Sequence, residues 1–147
     1  MMQRNQGQSA MATVVTVLVV FGAVTFLLAA LVHLGARIPL GFAVITEPVI
    51  VPAAIVEGLA GLGLAVSAYA LLTRRGWARP AAMAANAFAL GGVLLGMWAL
   101  AAGRGPRTEL NDVYHRLMVV VLLAGLVLLS TPSAKSALGG RAEHAVS

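Results

Sequence analysis

Four stretches of the chain are apolar at nearly every position, and shorter segments richer in polar residues separate them. Apolar runs of about 18 or more residues with few charges are typical of transmembrane helices, which need about 20 residues to cross a hydrocarbon core of ~30 Å. The pattern therefore predicts an all-α integral membrane protein, built as an antiparallel bundle of four transmembrane helices. The predicted spans cover residues 11–33, 49–73, 80–102 and 112–130.

The segments between and beyond the spans carry signals that begin and end helices. The apolar run after residues 1–10 is longer than the roughly 7–15 residues of a signal-peptide core, so we expect a retained span. Pro80 suits a first helical turn, and Asn111 is the predicted N-cap of the fourth span. Pro132 lies just past that span, and the small, polar composition of residues 131–147 predicts a disordered tail.

Basic residues are unevenly distributed between the two ends of the predicted bundle. One end has six basic residues and one acidic residue, and the other end has four of each. The six basic residues are Arg4, Arg74, Arg75, Arg79, Lys135 and Arg141. Because Lys and Arg favour cytoplasmic loops, we expect the N-terminus, the C-terminus and the loop over residues 74–79 in the cytoplasm. This predicts a multi-pass protein of the inner (plasma) membrane.

The composition narrows the function classes. Of the 147 residues, 60% are hydrophobic and 10% charged, with a mean hydropathy of +0.92, whereas soluble domains carry roughly 25% charged residues. The absence of cysteine excludes disulfides, thiolate metal sites, covalently bound haem and iron–sulfur clusters. The basic residues lie at span ends rather than in a soluble patch, which argues against nucleic acid as a partner. The expected partners are the lipid bilayer and either other membrane subunits or a second copy.

Polar residues inside the spans are the candidates for function. Glu57 is the only charged residue of the second span, and a charge at mid-membrane costs at least ~2.5–3.5 kcal/mol. At 1.5 Å per residue, Glu57 lies roughly 25 Å from Arg74. His33 ends the first span, and His115 and Arg116 occupy the first turn of the fourth. We therefore expect these side chains at a similar depth, in the outer third of the membrane, without the sequence showing that they face one another.

The preferred interpretation of this polar cluster is structural. Glu57 pairs with Arg116 or with a histidine and fixes the helix register, while Arg116 also has Asp112 one turn back. On this interpretation the protein is a small non-catalytic membrane subunit, and the cluster fixes register or docks a larger assembly. Small bacterial membrane proteins commonly have this size and four-span layout, but no motif assigns a family.

Two other interpretations stay open. His33 and His115 are able to ligate a haem b or chlorophyll-type tetrapyrrole from two helices, or, with Glu57 or Glu47, a Zn²⁺ or iron ion. Alternatively, Glu57 titrates and a histidine relays its proton, as in a small proton-coupled transporter or a quinone-handling subunit. An enzyme using Glu57 and His115 as acid and base is less expected, because neither a serine nor a cysteine nucleophile accompanies them.

Small residues predict where the helices meet. Helices in lipid associate through close backbone approach and a few polar contacts. Gly58 and Gly61 in the second span, and Gly92 and Gly96 in the third, are therefore predicted to bring these two spans together. Asn86 is expected to form a hydrogen bond between helices, worth ~1 kcal/mol.

Overall fold

The structure is a computed structural model that describes residues 2–138, with side chains from Gln6 onward. Within this range the chain forms five helices and one pair of short strands. The helices are α1 (Met2–His33), α2 (Val51–Leu72), α3 (Ala78–Ala101), α4 (Glu109–Ser130) and α5 (Pro132–Leu138). The strands β1 (Ile38–Pro39) and β2 (Val44–Ile45) lie between α1 and α2.

Helices α1 to α4 form a closed ring in which each packs on the next and α4 packs on α1. Gly58 of α2 faces Ala30 of α1, and Gly61 faces Leu27, so the contacts step in opposite directions along the two helices. The loops over residues 73–77 and 102–108 are too short to return along a helix, so α3 and α4 also reverse direction. The all-α bundle is confirmed, and four of the described helices are long and apolar enough to cross a membrane.

Two ends of the bundle are named here by their loops. The hairpin end carries residues 34–50, which include β1 and β2, together with residues 102–108. The terminal end carries residues 73–77 and α5. Because α1 ends and α2 and α4 begin at the hairpin end, residues far apart in sequence meet there.

Burial in the bundle is the reverse of what a water-soluble protein shows. Small side chains fill much of the space between helices, among them Ala54, Ala60, Ala68, Ala78, Ala82 and Ala89. Large apolar side chains lie on the outer faces of the helices, among them Val17, Leu31, Leu62, Leu95, Val120 and Val127. A contiguous exposed apolar surface marks a site of contact with another apolar phase or partner.

Strands β1 and β2 form a small antiparallel hairpin at the end of the bundle, between α1 and α2. Ile38 pairs with Ile45, and the Leu40 amide donates to the Ala43 carbonyl at 2.8 Å. Gly41 at the turn has a φ of 84°, a left-handed conformation that suits a residue without a Cβ. The hairpin thereby returns the chain from the end of α1 to the start of α2.

Helix α4 begins three residues before the predicted start. Its N-cap is Thr108, whose hydroxyl accepts a hydrogen bond from the Asn111 amide at 3.1 Å. Glu109 and Asp112 lie in the first turn, where the helix dipole favours negative charge. The prediction of Asn111 as the N-cap is therefore wrong, because a threonine one turn earlier caps the same backbone amides.

The structure also differs from the expected disorder after the fourth span. Helix α4 ends at Ser130, and Pro132 is the first residue of α5. Proline suits this position because the first residue of a helix does not need the backbone N–H that proline lacks. The Thr131 hydroxyl accepts from the Ala134 amide at 3.1 Å, and the Ala134 side chain is fully buried as α5 packs on α1. Residues 132–138 are therefore helical, and the rest of the expected disordered tail, residues 139–147, lies outside the described residues.

The predicted contact between the glycines of the second and third spans is corrected. Gly58 and Gly61 face α1, while Gly92 faces Val56 of α2 and Gly96 faces the ring of His115 in α4. Helix α2 has two buried sides, one against α1 and one against α3, and Gly58 and Gly61 line the α1 side. Gly92 does lie between the predicted pair, α2 and α3, whereas Gly58 and Gly61 serve the contact of α2 with α1 and Gly96 serves the contact of α3 with α4.

Candidate functional site

Antiparallel packing of α1 and α2 brings His33 and Glu57 together at the hairpin end. His33 is the last residue of α1, and Glu57 lies in the second turn of α2. The His33 Nδ1 is 2.7 Å from Glu57 Oε2, and the two side chains are only 3% and 8% exposed. The Ile50 amide also donates to the His33 carbonyl at 3.0 Å, which ties the start of α2 to the end of α1.

His115 approaches the same region from α4. Its Nδ1 is 2.9 Å from the Asn111 carbonyl oxygen, one turn earlier in the helix. Because a carbonyl only accepts, Nδ1 is the donor, and the Nε2 of the neutral ring is then an acceptor. Nε2 faces Gly96 of α3, where an added Cβ would lie 3.0 Å away. Gly96 therefore makes room for the imidazole.

A cavity of about 260 Å³ separates α2, α3 and α4 at the hairpin end. We call it the α3 cavity. Its polar lining consists of His33, Glu57, Arg104, Asn111 and His115. Most of the remaining wall is apolar, so these polar groups lie together in an otherwise apolar space. The two histidines and the carboxylate named from the sequence thus border one cavity, although only His33 and Glu57 are in direct contact.

A second cavity of about 250 Å³ lies between α1, α4 and the strand hairpin. We call it the hairpin cavity. Its apolar walls include Leu28, Val32, Ile38, Leu40, Ile45 and Leu110. His33 and Asn111 line this cavity as well as the α3 cavity. These two residues therefore form part of the partition between the two spaces.

Two buried polar side-chain atoms in the described part of the chain have no hydrogen-bond partner: His33 Nε2 and Tyr114 Oη. Both residues line the hairpin cavity. The ring of Tyr114 packs edge-on against Phe26, with ring centres 6.1 Å apart. A hydroxyl buried without a partner is costly, and this one is shielded from the cavity, since the atom has almost no accessible surface. The sequence did not single out Tyr114 as a functional residue, although its position directly before His115 was an available signal.

The remaining candidates lie apart from the pair. The Thr108 hydroxyl donates to Glu47 Oε2 at 2.7 Å, which holds this carboxylate at the start of α4. Arg116 is exposed rather than paired with Glu57. Asp112 bonds instead to Arg107, at 2.7 Å from Nε to Oδ2, and this bond raises the pKa of Arg107. The expected Arg116 pairings fail because the buried stripe of α4 runs through positions 111, 115 and 118, to one side of residue 116.

Asn86 lies far from the cluster, in the half of α3 nearer the terminal end. Its Nδ2 donates to the Ala82 carbonyl at 2.7 Å, and its Oδ1 lies against Gly125 of α4. The expected hydrogen bond between helices is thus replaced by one within α3. Asn86 still contributes to packing, because the missing side chain of Gly125 leaves space for its amide.

The geometry gives little support to either cofactor alternative, a metal ion or a tetrapyrrole. Within residues 2–138, no three His, Asp or Glu side chains are grouped so that they could hold a metal ion. Each cavity is smaller than the roughly 300–1,000 Å³ of sites for drug-sized ligands, which is little room for a tetrapyrrole. The space beside the two imidazoles suits a smaller molecule.

Comparisons of the chain with protein-family models, with curated proteins and with solved structures find no match. The function is therefore argued from the geometry of the hairpin end. Three features carry that argument: the buried His33–Glu57 pair, the unpartnered Nε2 of His33, and the two cavities that meet at this residue.

Proposed function

We propose that the chain is a small multi-pass protein of the plasma membrane in which the His33–Glu57 pair takes up and releases a proton. This places it with proton-coupled transporters or quinone-handling subunits. The observation that carries the proposal is the ring of His33: one nitrogen is bonded to a buried carboxylate, the other is buried without a partner, and the residue lines two cavities.

The membrane setting is supported by the helices themselves. Four helices have the length and hydropathy of membrane spans, and their outer faces carry large apolar side chains while small residues pack between them. The proposed orientation follows from the charges, since Arg74, Arg75 and Arg79 cluster at the terminal end. The hairpin end, with the His33–Glu57 pair, then faces away from the cytoplasm.

The pair behaves chemically as a site for one proton. With a neutral imidazole and an ionised carboxylate it carries one negative charge, and an added proton makes the pair neutral overall. Because burial disfavours net charge, the surroundings decide when that proton binds. The other titratable groups that line the two cavities are Glu47 on the loop, Tyr114 and His115 on α4, and Arg104 beyond α3. The same end of the bundle also carries Arg37, Arg107, Glu109, Asp112 and Arg116.

A register-fixing pair in a non-catalytic subunit is the second candidate. The observation that favours it is the bond itself, because His33 Nδ1 and Glu57 Oε2 join α1 to α2 in a buried setting. Docking through the cluster has less support, since His33, Glu57 and His115 are all buried within the bundle. The two candidates differ in whether the pair changes protonation.

The test is a pH titration of the protein labelled with ¹⁵N-histidine in lipid nanodiscs, followed by NMR. We expect the His33 ring nitrogens, assigned with His33→Gln, to change protonation within the range where imidazoles titrate. Glu57→Gln is expected to alter this titration most, because Glu57 is bonded to His33 directly, whereas Glu47→Gln is expected to alter it less, because Glu47 acts on His33 only through its charge. A His33 ring that keeps one protonation state throughout would contradict the proposal and favour the register role.

A further inference from the structure

The α3 cavity is bordered by two hydrogen-bond acceptors that the protein leaves unused. Glu57 bonds to His33 through Oε2, and His115 bonds to its own helix through Nδ1. Among the residues that the structure describes, no donor bonds to Glu57 Oε1 or to His115 Nε2. Both residues are more than nine-tenths buried, but these two atoms keep some accessible surface, in contrast to His33 Nε2 and Tyr114 Oη. That surface faces the α3 cavity, which both residues line.

The chemistry of these two atoms defines the polar group of a ligand. Because Nδ1 of His115 donates to a carbonyl, Nε2 of the neutral ring only accepts, and the ionised carboxylate of Glu57 also only accepts. When the His33–Glu57 pair lacks its proton, the site carries one negative charge, so a cationic donor is bound more strongly than a neutral one. A primary ammonium ion has a positive charge and three N–H donors, which meets both conditions.

We infer that the α3 cavity binds a primary ammonium ion with an apolar substituent, which donates to Glu57 Oε1 and His115 Nε2 and competes with the proton of the His33–Glu57 pair. The inference deepens the proposed function by naming a substrate class for a proton-coupled transporter, and it rests on that function because the competing proton belongs to the pair. No covalent bond of the ligand changes. As the ammonium enters, the proton leaves the pair for water, so the net charge of the site is constant.

The remainder of the cavity suits the apolar part of such a ligand. Its walls include Phe26, Val56, Val93 and Leu100. The volume is about 260 Å³, and an apolar cavity of about 150 Å³ is large enough to bind benzene. A single ring joined to a short alkylammonium group therefore fits. The cavity also reaches the loop over residues 102–108, so a ligand has a route from the hairpin end of the bundle.

Charged groups around the two acceptors bear on the binding of a cation. Arg104 also lines the cavity, but its side chain is exposed and its guanidinium carbon lies 4.7 Å from the centre of the Trp98 ring. Stacking on that ring and contact with water lessen its repulsion of a cation beside Glu57. Helix α3 itself has one charged residue, Arg79, at its opposite end. The other titratable groups near the two acceptors are His33 on α1, Glu47 on the strand loop, and Asp112 and Tyr114 on α4.

The test is calorimetric titration of the full chain in phosphatidylcholine nanodiscs, with phenethylammonium and with phenethyl alcohol as the neutral compound of the same skeleton. Empty nanodiscs correct for partition into lipid, and the amine stays protonated because alkylammonium groups titrate near about pH 10.4. We expect saturable binding of the ammonium and roughly tenfold or weaker binding of the alcohol. Lowering the pH should weaken ammonium binding, by up to about tenfold per pH unit once the pair is protonated, because the proton and the ligand exclude each other.

Three variants assign the binding to this cavity. Glu57→Gln removes the charge and should abolish both the preference for the ammonium and the dependence of its affinity on pH. Ala99→Leu adds volume at a residue that lines the cavity and should weaken the binding of both compounds. Ala101→Leu makes the same change at an exposed position of the same helix and should leave binding unchanged.

Four results would overturn the inference: no binding of the ammonium, equally tight binding of the alcohol, an affinity that is independent of pH, or equal effects of Ala99→Leu and Ala101→Leu. A His33 ring that titrates as proposed in a chain that does not bind the ammonium rejects the inference alone. Ammonium binding to a chain whose His33 keeps one protonation state rejects the proposed function together with the competition for its proton.

Discussion

At the scale of single residues, the chain accommodates a carboxylate inside an apolar helix by placing an imidazole beside it. His33 and Glu57 are hydrogen-bonded at 2.7 Å and almost completely buried. Breaking a buried pair by removing one member is strongly destabilising, whereas replacing both by apolar residues is often tolerated. The pair is therefore a unit, and its members should not contribute independently to stability.

This unit predicts a non-additive double-mutant cycle. His33→Leu and Glu57→Leu should each lower the free energy of unfolding by about 3–5 kcal/mol, because each leaves a buried polar group unpaired. The double variant should recover much of that loss. Thermal and denaturant unfolding in detergent would measure the effect, with Arg116→Leu as a control expected to change stability by no more than ~0.5 kcal/mol, since its side chain is exposed. Additive losses in the double variant would show that the two residues act separately.

Sequence reasoning placed His33, Glu57 and His115 at a similar depth near one end of the bundle, and in the structure all three line the α3 cavity. It chose Arg116 as a partner for Glu57 because both had similar depth. Depth follows from position along a helix, but contact also requires that the side chains face each other. In the structure α4 turns His115 inward, and Arg116, about 100° further around the helix, lies outside.

At the scale of helices, packing depends on glycines that face particular neighbours. A Cβ at Gly61 would lie 2.8 Å from Cγ of Leu27 and 3.0 Å from its backbone nitrogen. A backbone atom does not rotate away as a flexible side chain does, so α1 and α2 would have to separate. In contrast, Gly91 on α3 has open space where its side chain would be.

These two glycines predict opposite effects for the same substitution. Gly61→Ala should destabilise the bundle by about 1–3 kcal/mol, the range expected for overpacking. Gly91→Ala should be neutral or stabilising by up to ~1 kcal/mol, because alanine is the better helix former. Unfolding of the two variants in detergent compares their stabilities directly. A similar loss of stability in both would rule out a specific close approach at Gly61.

At the scale of the whole molecule, an apolar exterior and an uneven charge distribution set the proposed arrangement in the membrane. Large aliphatic side chains cover the outer faces of the helices, and the loop over residues 74–79 is basic. The hairpin end has balanced charge and contains both cavities. A proton or ligand that reaches the His33–Glu57 pair from the near side would then arrive from outside the cytoplasm.

The orientation is testable because the chain lacks cysteine, so that single introduced cysteines report cleanly. Gly76 lies in the terminal-end loop, Gly105 lies in the hairpin-end loop, and both are exposed. On intact cells a membrane-impermeant thiol reagent should label Gly105→Cys and not Gly76→Cys, and permeabilisation should make both reactive. Labelling of Gly76→Cys alone on intact cells would reverse the proposed topology.

The sequence by itself determined the four apolar helices, their alternating direction and the end of the bundle at which the polar residues gather. Each of these follows from the hydrophobicity of consecutive residues and the lengths of the loops, which are local properties. The tertiary structure alone decided that His33 is the partner of Glu57, that Gly61 faces α1, and that Tyr114 has a buried, unpaired hydroxyl. These contacts depend on the rotation of each helix about its axis, and that rotation is decided by the simultaneous packing of all the helices and the strand hairpin.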